Sequence, residues 1–480
     1  MLTRHVSRFA WSSRLTLAVC WGTLVASSEA NPPPPYPLQP PADQTNTAID
    51  PPSATKLKAK VDFPEPKVRE ANRELGLRLI KEGDELADQG KFNEAQLKYK
   101  DAFEQILPGM RRIDFLREVG VDVTERVKLA DFLLQVFDEE MTPEELKTSE
   151  QSLKALSLIP RDMDLKAFMI ELLTEEIAAF YDPRTGKMHF IEEPPPDPNA
   201  KKPSFLERLF GGGPKGFDKE ESKTVIAHEL THALSDQNYE FMVMDEAIKG
   251  DDDRSTAWTA LVEGEATLTM MAAGQSDWDG EEIVQVPAEV LDRTFSLIGP
   301  MLTRGTGKAM KKAPPILAEG LIFPYVRGLV FVAYLVNAKG WQGIDDAYLN
   351  PPLSTEQILH PEKYLDPDLL EILLRKHKGK EAAAGWDGDA FTVYETAQGV
   401  PALVWATTWD SEEDAQEFAD AYQAARDARA PDSLPEGTSR RLERRGVDVT
   451  IVEGFPKEIG DRLLEQASQA PKAEKTPFPL

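Results

Sequence analysis

A short histidine motif inside a helix-forming segment says more about this chain than any other stretch of its sequence. Residues 224–236 read Thr-Val-Ile-Ala-His-Glu-Leu-Thr-His-Ala-Leu-Ser-Asp and contain His228, Glu229 and His232 in the pattern His-Glu-x-x-His. Residues 218–221 form an Asp-x-x-Glu capping box, which marks a helix start. On an α-helix, residues i and i+4 share one face about one turn apart. The sequence therefore predicts a helix that presents two imidazoles to a single metal ion.

The same spacing indicates a chemistry. A zinc ion lowers the pKa of a bound water towards neutrality, and a nearby carboxylate then takes the water's proton as it attacks a carbonyl carbon. Glu229 directly follows the first histidine and is the candidate general base. We expect one Zn²⁺ per chain, held by His228 and His232, with hydrolysis as the reaction.

A catalytic zinc ion needs a third protein ligand. The metzincin pattern continues with a glycine and a histidine, but Ser235 and Asn238 occupy those positions, so that class is excluded. Residues 260–267, Ala-Leu-Val-Glu-Gly-Glu-Ala-Thr, resemble the Glu-Gly-x-Ala signature of bacterial gluzincins. By this resemblance, residues 165–365 are similar to a gluzincin-type zinc metallopeptidase domain of the bacterial secreted kind. The resemblance implies Glu263 as the third zinc ligand.

Other residues of this segment are predicted to lie away from the metal. Glu263 and Glu265 differ by about 200° around a helix, so both cannot face it. Thr267 stands where thermolysin-like enzymes carry a carboxylate one turn after the third ligand. Support for the ligands must then come from elsewhere, and Asp236, one turn beyond His232, is positioned to orient an imidazole. A solvated aspartate at the helix end is the alternative.

A peptidase also needs a donor for the oxyanion of its transition state. Residues 351–361 are similar to a Ser-Thr-Glu-Gln-x-Leu-His-Pro segment of such bacterial peptidases, and this makes His360 the first candidate. Tyr325, in the segment Phe-Pro-Tyr-Val-Arg-Gly, is the second. A histidine before proline in a turn also serves as a capping or packing residue, which is the alternative for His360.

The N-terminus reads as a signal peptide. Three arginines precede an apolar run over residues 15–26, which is too short to span a bilayer, and Ser-Glu-Ala offers a cleavage site after Ala30. We expect an exported protein, periplasmic or extracellular, without a membrane span in the mature chain. Cys20, the only cysteine, follows the bulky Val19, which disfavours a lipoprotein. It would leave with the signal peptide.

Net charge limits the partners. The chain carries a formal charge of −27, which repels nucleic acid and anionic lipid surfaces. A polypeptide substrate fits this balance, whereas nothing in the sequence indicates an oligomeric state.

The overall pattern predicts an α+β fold that is predominantly helical, with a zincin-like core. Residues 90–102 resemble one tetratricopeptide helical hairpin, which we interpret as packing for the catalytic domain, with a partner-binding role as the alternative. Residues 188–192 are predicted as a strand, either at the sheet edge beside the active helix or in an ordinary hairpin. The C-terminal segment predicts a ββαβα unit with one sheet face under two helices. The expected regions are a signal peptide (1–30), a proline-rich disordered linker (31–60), a helical region (61–160), the zincin-like catalytic domain (161–375), the ββαβα domain (380–470) and a disordered tail (471–480).

The leading hypothesis is a secreted zinc peptidase in which Glu229 acts as general base. One rival is a non-catalytic envelope protein that uses the same fold for binding or assembly. Retention of Glu229 argues against this rival, since a structural zinc site has no use for a base. Another is a zinc amidase that acts on a non-protein amide such as a cell-wall cross-link, which the motif does not distinguish from a peptidase.

Overall fold

The computed structural model describes residues 3–4, 66–156, 158–177, 179–192, 217–249, 251–273, 286–302, 308–365, 386–395, 401–428 and 437–470. Within this part, helices dominate and two small sheets accompany them, as the sequence predicts for an α+β fold. The predicted signal peptide, apart from a two-residue strand β1 (Thr3–Arg4), lies outside the described residues. So do the predicted linker and C-terminal tail.

A helical hairpin begins the described part, formed by α1 (Pro66–Asp88) and α2 (Phe92–Arg111). Gly90 takes a φ of 76° in the turn between them, a conformation that favours glycine. The helices touch closely, because a Cβ atom at Gly83 would lie 2.5 Å from the Tyr99 ring. The other side of α2 packs on the helix that carries the histidine motif.

A three-stranded sheet with adjoining helices follows the hairpin. Its strand order is β2-β4-β3, with β4 parallel to β2 and antiparallel to β3. The predicted strand at 188–192 exists and forms a hairpin with β3, as one of the two interpretations expects. The edge-strand interpretation is wrong, because β4 is the middle strand. Its parallel partner comes from far earlier in the chain, which local sequence does not reveal. The elements are β2 (Gly120–Glu125), α3 (Arg126–Glu140), α4 (Pro143–Ala155), α5 (Leu165–Glu176), β3 (Ala179–Asp182) and β4 (Lys187–Glu192).

The centre of the molecule is a group of helices around α8 (Asp252–Ala273), which is buried along most of its length. On one side α8 packs against α6, whose N-terminus is capped as predicted by the Asp218 side chain, which accepts from the Glu221 N–H at 2.9 Å. On another side it packs against α11. The helices are α6 (Lys219–Tyr239), α7 (Phe241–Ile248), α8 (Asp252–Ala273), α9 (Ala288–Leu302), α10 (Lys308–Lys312), α11 (Pro315–Lys339), α12 (Gln342–Leu349), α13 (Thr355–Leu359) and α14 (Pro361–Leu365).

Helices α8 and α11 meet backbone to backbone. A Cβ atom at Gly264 would lie 2.2 Å from the Gly328 carbonyl, and one at Gly328 would lie 1.9 Å from the Ala260 oxygen. Within the described part, α11 is the one helix long and apolar enough to cross a membrane, and 61% of its most apolar window is buried in the molecule. Its apolar sequence therefore serves the core contact with α8.

The C-terminal unit is a sheet of order β1-β5-β6-β8-β7. The predicted ββαβα order is wrong, because residues 438–445, Thr-Ser-Arg-Arg-Leu-Glu-Arg-Arg, form an additional edge strand. This charged segment lacks the alternating apolar residues from which a strand is predicted. The prediction of two helices on one face is also wrong, because α15 and α16 pack with separate apolar clusters, formed by alternate residues of the strands. The elements are β5 (Trp386–Glu395), β6 (Pro401–Trp409), α15 (Glu412–Ala428), β7 (Thr438–Arg445), β8 (Asp448–Pro456) and α16 (Lys457–Ala467).

Candidate metal centre

The three candidate ligands converge between α6 and α8. The Nε2 atoms of His228 and His232 lie 3.1 Å apart. The Glu263 Oε2 atom lies 3.1 Å from the His228 Nε2 and 3.6 Å from the His232 Nε2. All three side chains are buried, and their ligand atoms lie within 4.8 Å of one another. The fold therefore brings together three residues from two helices that are up to 35 positions apart in the sequence.

These separations can be compared with those of a zinc site. Ligand atoms at about 2.1 Å from a tetrahedral zinc ion lie roughly 3.4 Å from one another. The observed separations of 3.1, 3.1 and 3.6 Å bracket that value. Two imidazoles and one carboxylate are also a donor set that zinc accepts in catalytic sites. The residues fit a zinc ion in both spacing and chemistry.

The second oxygen of Glu263 supports the same fit. Within the described part of the chain, the Glu263 Oε1 atom is buried without a hydrogen-bond partner. A buried carboxylate oxygen without a partner costs free energy, which a bound cation would recover. Burial also opposes ionisation of Glu263, but the His232 and His228 imidazoles outweigh it and hold the pKa of this carboxyl well below its usual range.

Glu229 lies beside this cluster on α6 and is buried. Its Oε2 atom accepts a hydrogen bond of 2.8 Å from the backbone N–H of Tyr181 in β3. Burial raises the pKa of the Glu229 carboxyl to about 8, while His228 opposes the rise and Glu263 adds to it. A divalent cation at the neighbouring ligands would lower that pKa. Edge strand β3 therefore fixes the orientation of the candidate general base.

Asp236 has partners other than the histidines. Its Oδ2 atom accepts from the Tyr181 hydroxyl at 2.7 Å, and its Oδ1 atom accepts from the Phe241 N–H at 3.1 Å. Arg117 also lies 3.6 Å from its Oδ2 atom, and among the described residues the contacts of this carboxylate include no imidazole. Tyr181 thus contacts α6 twice, by its backbone at Glu229 and by its hydroxyl at Asp236. Sequence reasoning missed Tyr181, because nothing local to this residue indicates that it contacts a helix about 50 residues later in the chain.

Tyr325 is brought to the site. Its ring stacks near His228, with ring centroids 6.0 Å apart and planes inclined by 21°. The close contact between α8 and α11 explains this placement, since Gly328 lies one turn beyond Tyr325 on the same face of α11. Tyr325 therefore lies beside the candidate ligand His228, and its role as an oxyanion donor stays a prediction.

His360 is placed in a different cluster. Its Nδ1 atom lies 3.4 Å from Glu362 and its Nε2 atom 3.7 Å from Glu356, and the hydrogen bond with Glu362 raises the pKa of the imidazole. The segment before it docks on the start of α8, where the Thr355 N–H donates to Asp253 at 2.8 Å. Ten residues of helix, about 15 Å, separate Asp253 from the third candidate ligand. None of these contacts joins His360 to the candidate metal ligands.

Glu265 faces away from the candidate ligands, as its helical position predicts. It forms an ion pair with Arg111 from α2, and both side chains are fully buried. The Ser235 hydroxyl of α6 donates to Glu265 at 2.7 Å, and the Tyr348 hydroxyl of α12 donates to the same oxygen. Sequence reasoning missed Arg111, although a glutamate in a buried helix requires a cationic or hydrogen-bonding partner.

Comparison with known proteins covers the C-terminal part of the chain. Residues 347–464 are similar to a domain of unknown function, DUF8575. Neither the curated proteins nor the solved structures contain a match to this chain. The matched region crosses the predicted domain boundary at 375–380 and leaves the metal centre outside it. Lys363 bridges the two sides of that boundary, since it binds both Glu356 and Asp410.

Proposed function

We propose that this protein is an exported zinc-dependent peptidase with a zincin-like catalytic core. The observation that carries the proposal is the convergence of His228, His232 and Glu263 beside a buried Glu229. The three ligands come from two helices that only the fold brings together. Such a site, with three protein ligands and an adjacent carboxylate, is the arrangement that catalytic zinc uses.

Hydrogen bonding alone does not account for the three close approaches. If the His228 Nε2 donates its proton to Glu263, it has no lone pair left to accept from His232. If both imidazoles donate to Glu263, their two N–H groups face each other across 3.1 Å. A cation among the three atoms removes this conflict, because both nitrogens and the carboxylate oxygen can then act as electron-pair donors. The geometry thus favours a metal ion.

The residues of the chain supply the remaining parts of the reaction. When bound, zinc lowers the pKa of a water molecule and polarises the substrate carbonyl. Glu229 accepts the proton of the attacking water and passes it to the leaving amine nitrogen. The Tyr181 N–H holds one oxygen of Glu229 in place for both transfers. The Tyr325 hydroxyl donates to the carbonyl oxygen as negative charge develops there, a role for which it lies better placed than His360.

The non-catalytic alternative is less well supported by this geometry. A structural zinc site uses four protein ligands, whereas three such groups meet here among the described residues. A zinc amidase that acts on a non-protein amide would use the same residues, so only a substrate test separates it from a peptidase.

The test combines metal analysis with hydrolysis. We expect elemental analysis of the purified protein to give one zinc per chain, and we expect it to cleave unfolded casein. Glu229→Gln should keep the zinc and lose cleavage, while the matched control Glu220→Gln, an exposed glutamate in the first turn of the same helix, should keep both. Absence of zinc after loading would refute the metal centre. Zinc without casein cleavage by the wild type would favour the amidase.

A further inference from the structure

We propose that the buried cluster of Arg111, Glu265 and Ser235 is a positioning device that sets the spacing of the metal ligands. It would make the N-terminal hairpin part of the metal centre. This inference rests on the proposed function, since it assumes that His228, His232 and Glu263 hold the metal.

The cluster joins four separate elements at one carboxylate. The Glu265 Oε1 atom pairs with the Arg111 Nε of α2, and its Oε2 atom accepts from the hydroxyls of Ser235 in α6 and Tyr348 in α12. The Arg111 Nη1 atom also lies 2.8 Å from Asp345 in α12, and its guanidinium lies 5.5 Å from the centre of the Trp341 ring. Glu265 is 1% exposed and Arg111 is 0% exposed. Buried charges of this kind hold their geometry because losing a partner is costly.

The link between Ser235 and Glu265 spans the same two helices as the metal ligands. Ser235 lies three residues after His232 on α6, and Glu265 lies two residues after Glu263 on α8. Their hydrogen bond of 2.7 Å therefore fixes the separation of α6 and α8 about one turn from the ligand atoms. A change in that separation moves the Glu263 carboxylate relative to both imidazoles.

Arg111 supports the hydrogen bond between Glu265 and Ser235. A carboxylate is costly to bury unless a cation pairs with it, and the pair then holds both groups in a fixed geometry. Arg111 supplies the positive charge from the last turn of α2, where the helical hairpin ends. The hairpin thus contributes a residue to the support of the metal centre, besides packing against α6.

Zinc affinity, measured by competition with a chromogenic chelator, tests this role independently of catalysis. We expect Ser235→Ala and Glu265→Gln to weaken zinc binding about 10-fold or more, as the loss of groups that support metal ligands does. The matched control is Thr259→Val, because Thr259 is a buried hydroxyl on α8 that donates to the Ser255 carbonyl of its own helix. It should bind zinc within about 2-fold of the wild type, since it links no other helix. Circular dichroism establishes that each variant is folded at the temperature of the titration.

The outcomes separate this inference from the proposed function. If the wild type binds zinc and Ser235→Ala binds it as tightly, the positioning role is wrong while the metal centre stands. Ser235→Ala decides the question even if Glu265→Gln does not fold, because it leaves the ion pair intact. If the wild type binds no zinc, the metal centre itself is refuted and the inference falls with it.

Discussion

The contact between α8 and α11 gives a sharp test of how the third ligand is positioned. In Gly328→Ala, the new methyl group would lie 1.9 Å from the Ala260 carbonyl oxygen. An ordinary contact begins at about 3.4 Å, so the two helices must separate by roughly 1.5 Å. The neighbouring atom belongs to the backbone of a buried helix and cannot rotate away. Separation of the helices is therefore the main way to relieve the overlap.

The expected loss of stability follows from two opposing effects. Alanine is about 1 kcal/mol more favourable than glycine inside a helix. Overpacking of a core costs about 1–3 kcal/mol, and an overlap with backbone belongs at the upper end of that range. We expect Gly328→Ala to lower the free energy of unfolding by about 2 kcal/mol. Zinc binding should weaken as well, because α8 carries Glu263.

Gly320→Ala is the matched control on the same helix. A Cβ atom at Gly320 meets nothing within 4 Å, so this variant should gain up to about 1 kcal/mol from helix propensity alone. Urea denaturation of the metal-free protein, followed by far-ultraviolet circular dichroism, measures both changes. We expect Gly328→Ala to lower the free energy of unfolding and Gly320→Ala to raise it. Equal effects of the two substitutions would mean that α8 and α11 are not in backbone contact, and the account of how Tyr325 and Glu263 are placed would be wrong.

Two further predictions concern single side chains. Burial lowers the pKa of His189, whose ring is 1% exposed and stacks on Phe180 at 4.6 Å. The unfolded chain therefore binds more protons than the folded chain below about pH 6.5. The free energy of unfolding of the wild type should fall by up to about 1.4 kcal/mol for each pH unit below that value, as measured by urea denaturation. The same pH dependence in His189→Phe would contradict this. Tyr325→Phe should lower kcat about 100-fold with little change in KM or zinc content, whereas His360→Asn should leave kcat and KM within about 2-fold of the wild type. Steady-state kinetics on one peptide substrate measure both. A larger loss of kcat in His360→Asn than in Tyr325→Phe would make His360 the donor.

Much of the candidate site follows from sequence because its information is local. The i, i+4 spacing of His228 and His232 needs only a helix, and the capping signal at Asp218 starts that helix where the structure has it. The opposite directions of Glu263 and Glu265 likewise follow from helical geometry. These features depend on residues a few positions apart, which a single sequence displays directly.

Features that depend on distant partners were not predictable in this way. Arg111 meets Glu265 across more than a hundred residues, and nothing near Arg111 announces a buried ion pair. The middle position of β4 depends on its parallel pairing with β2. The arginines of strand β7 form ion pairs with residues of the helices α15 and α16, which are distant in the sequence. The sequence around His360 resembles a segment of bacterial peptidases, but in the structure this segment contacts the C-terminal unit, because Lys363 binds both Glu356 and Asp410.

The fold holds α8 by different means on its different sides. Gly264 lets the backbone of α11 approach, Glu265 binds charged and hydroxyl groups of three other elements, and Glu263 faces the two histidines. A helix that is free to slide would present its glutamate at varying distances, and metal affinity depends on ligands that are held in position. If Glu263 binds the proposed metal ion, three consecutive residues have separate roles: Glu263 would meet the ion, while Gly264 and Glu265 hold the helix that carries it.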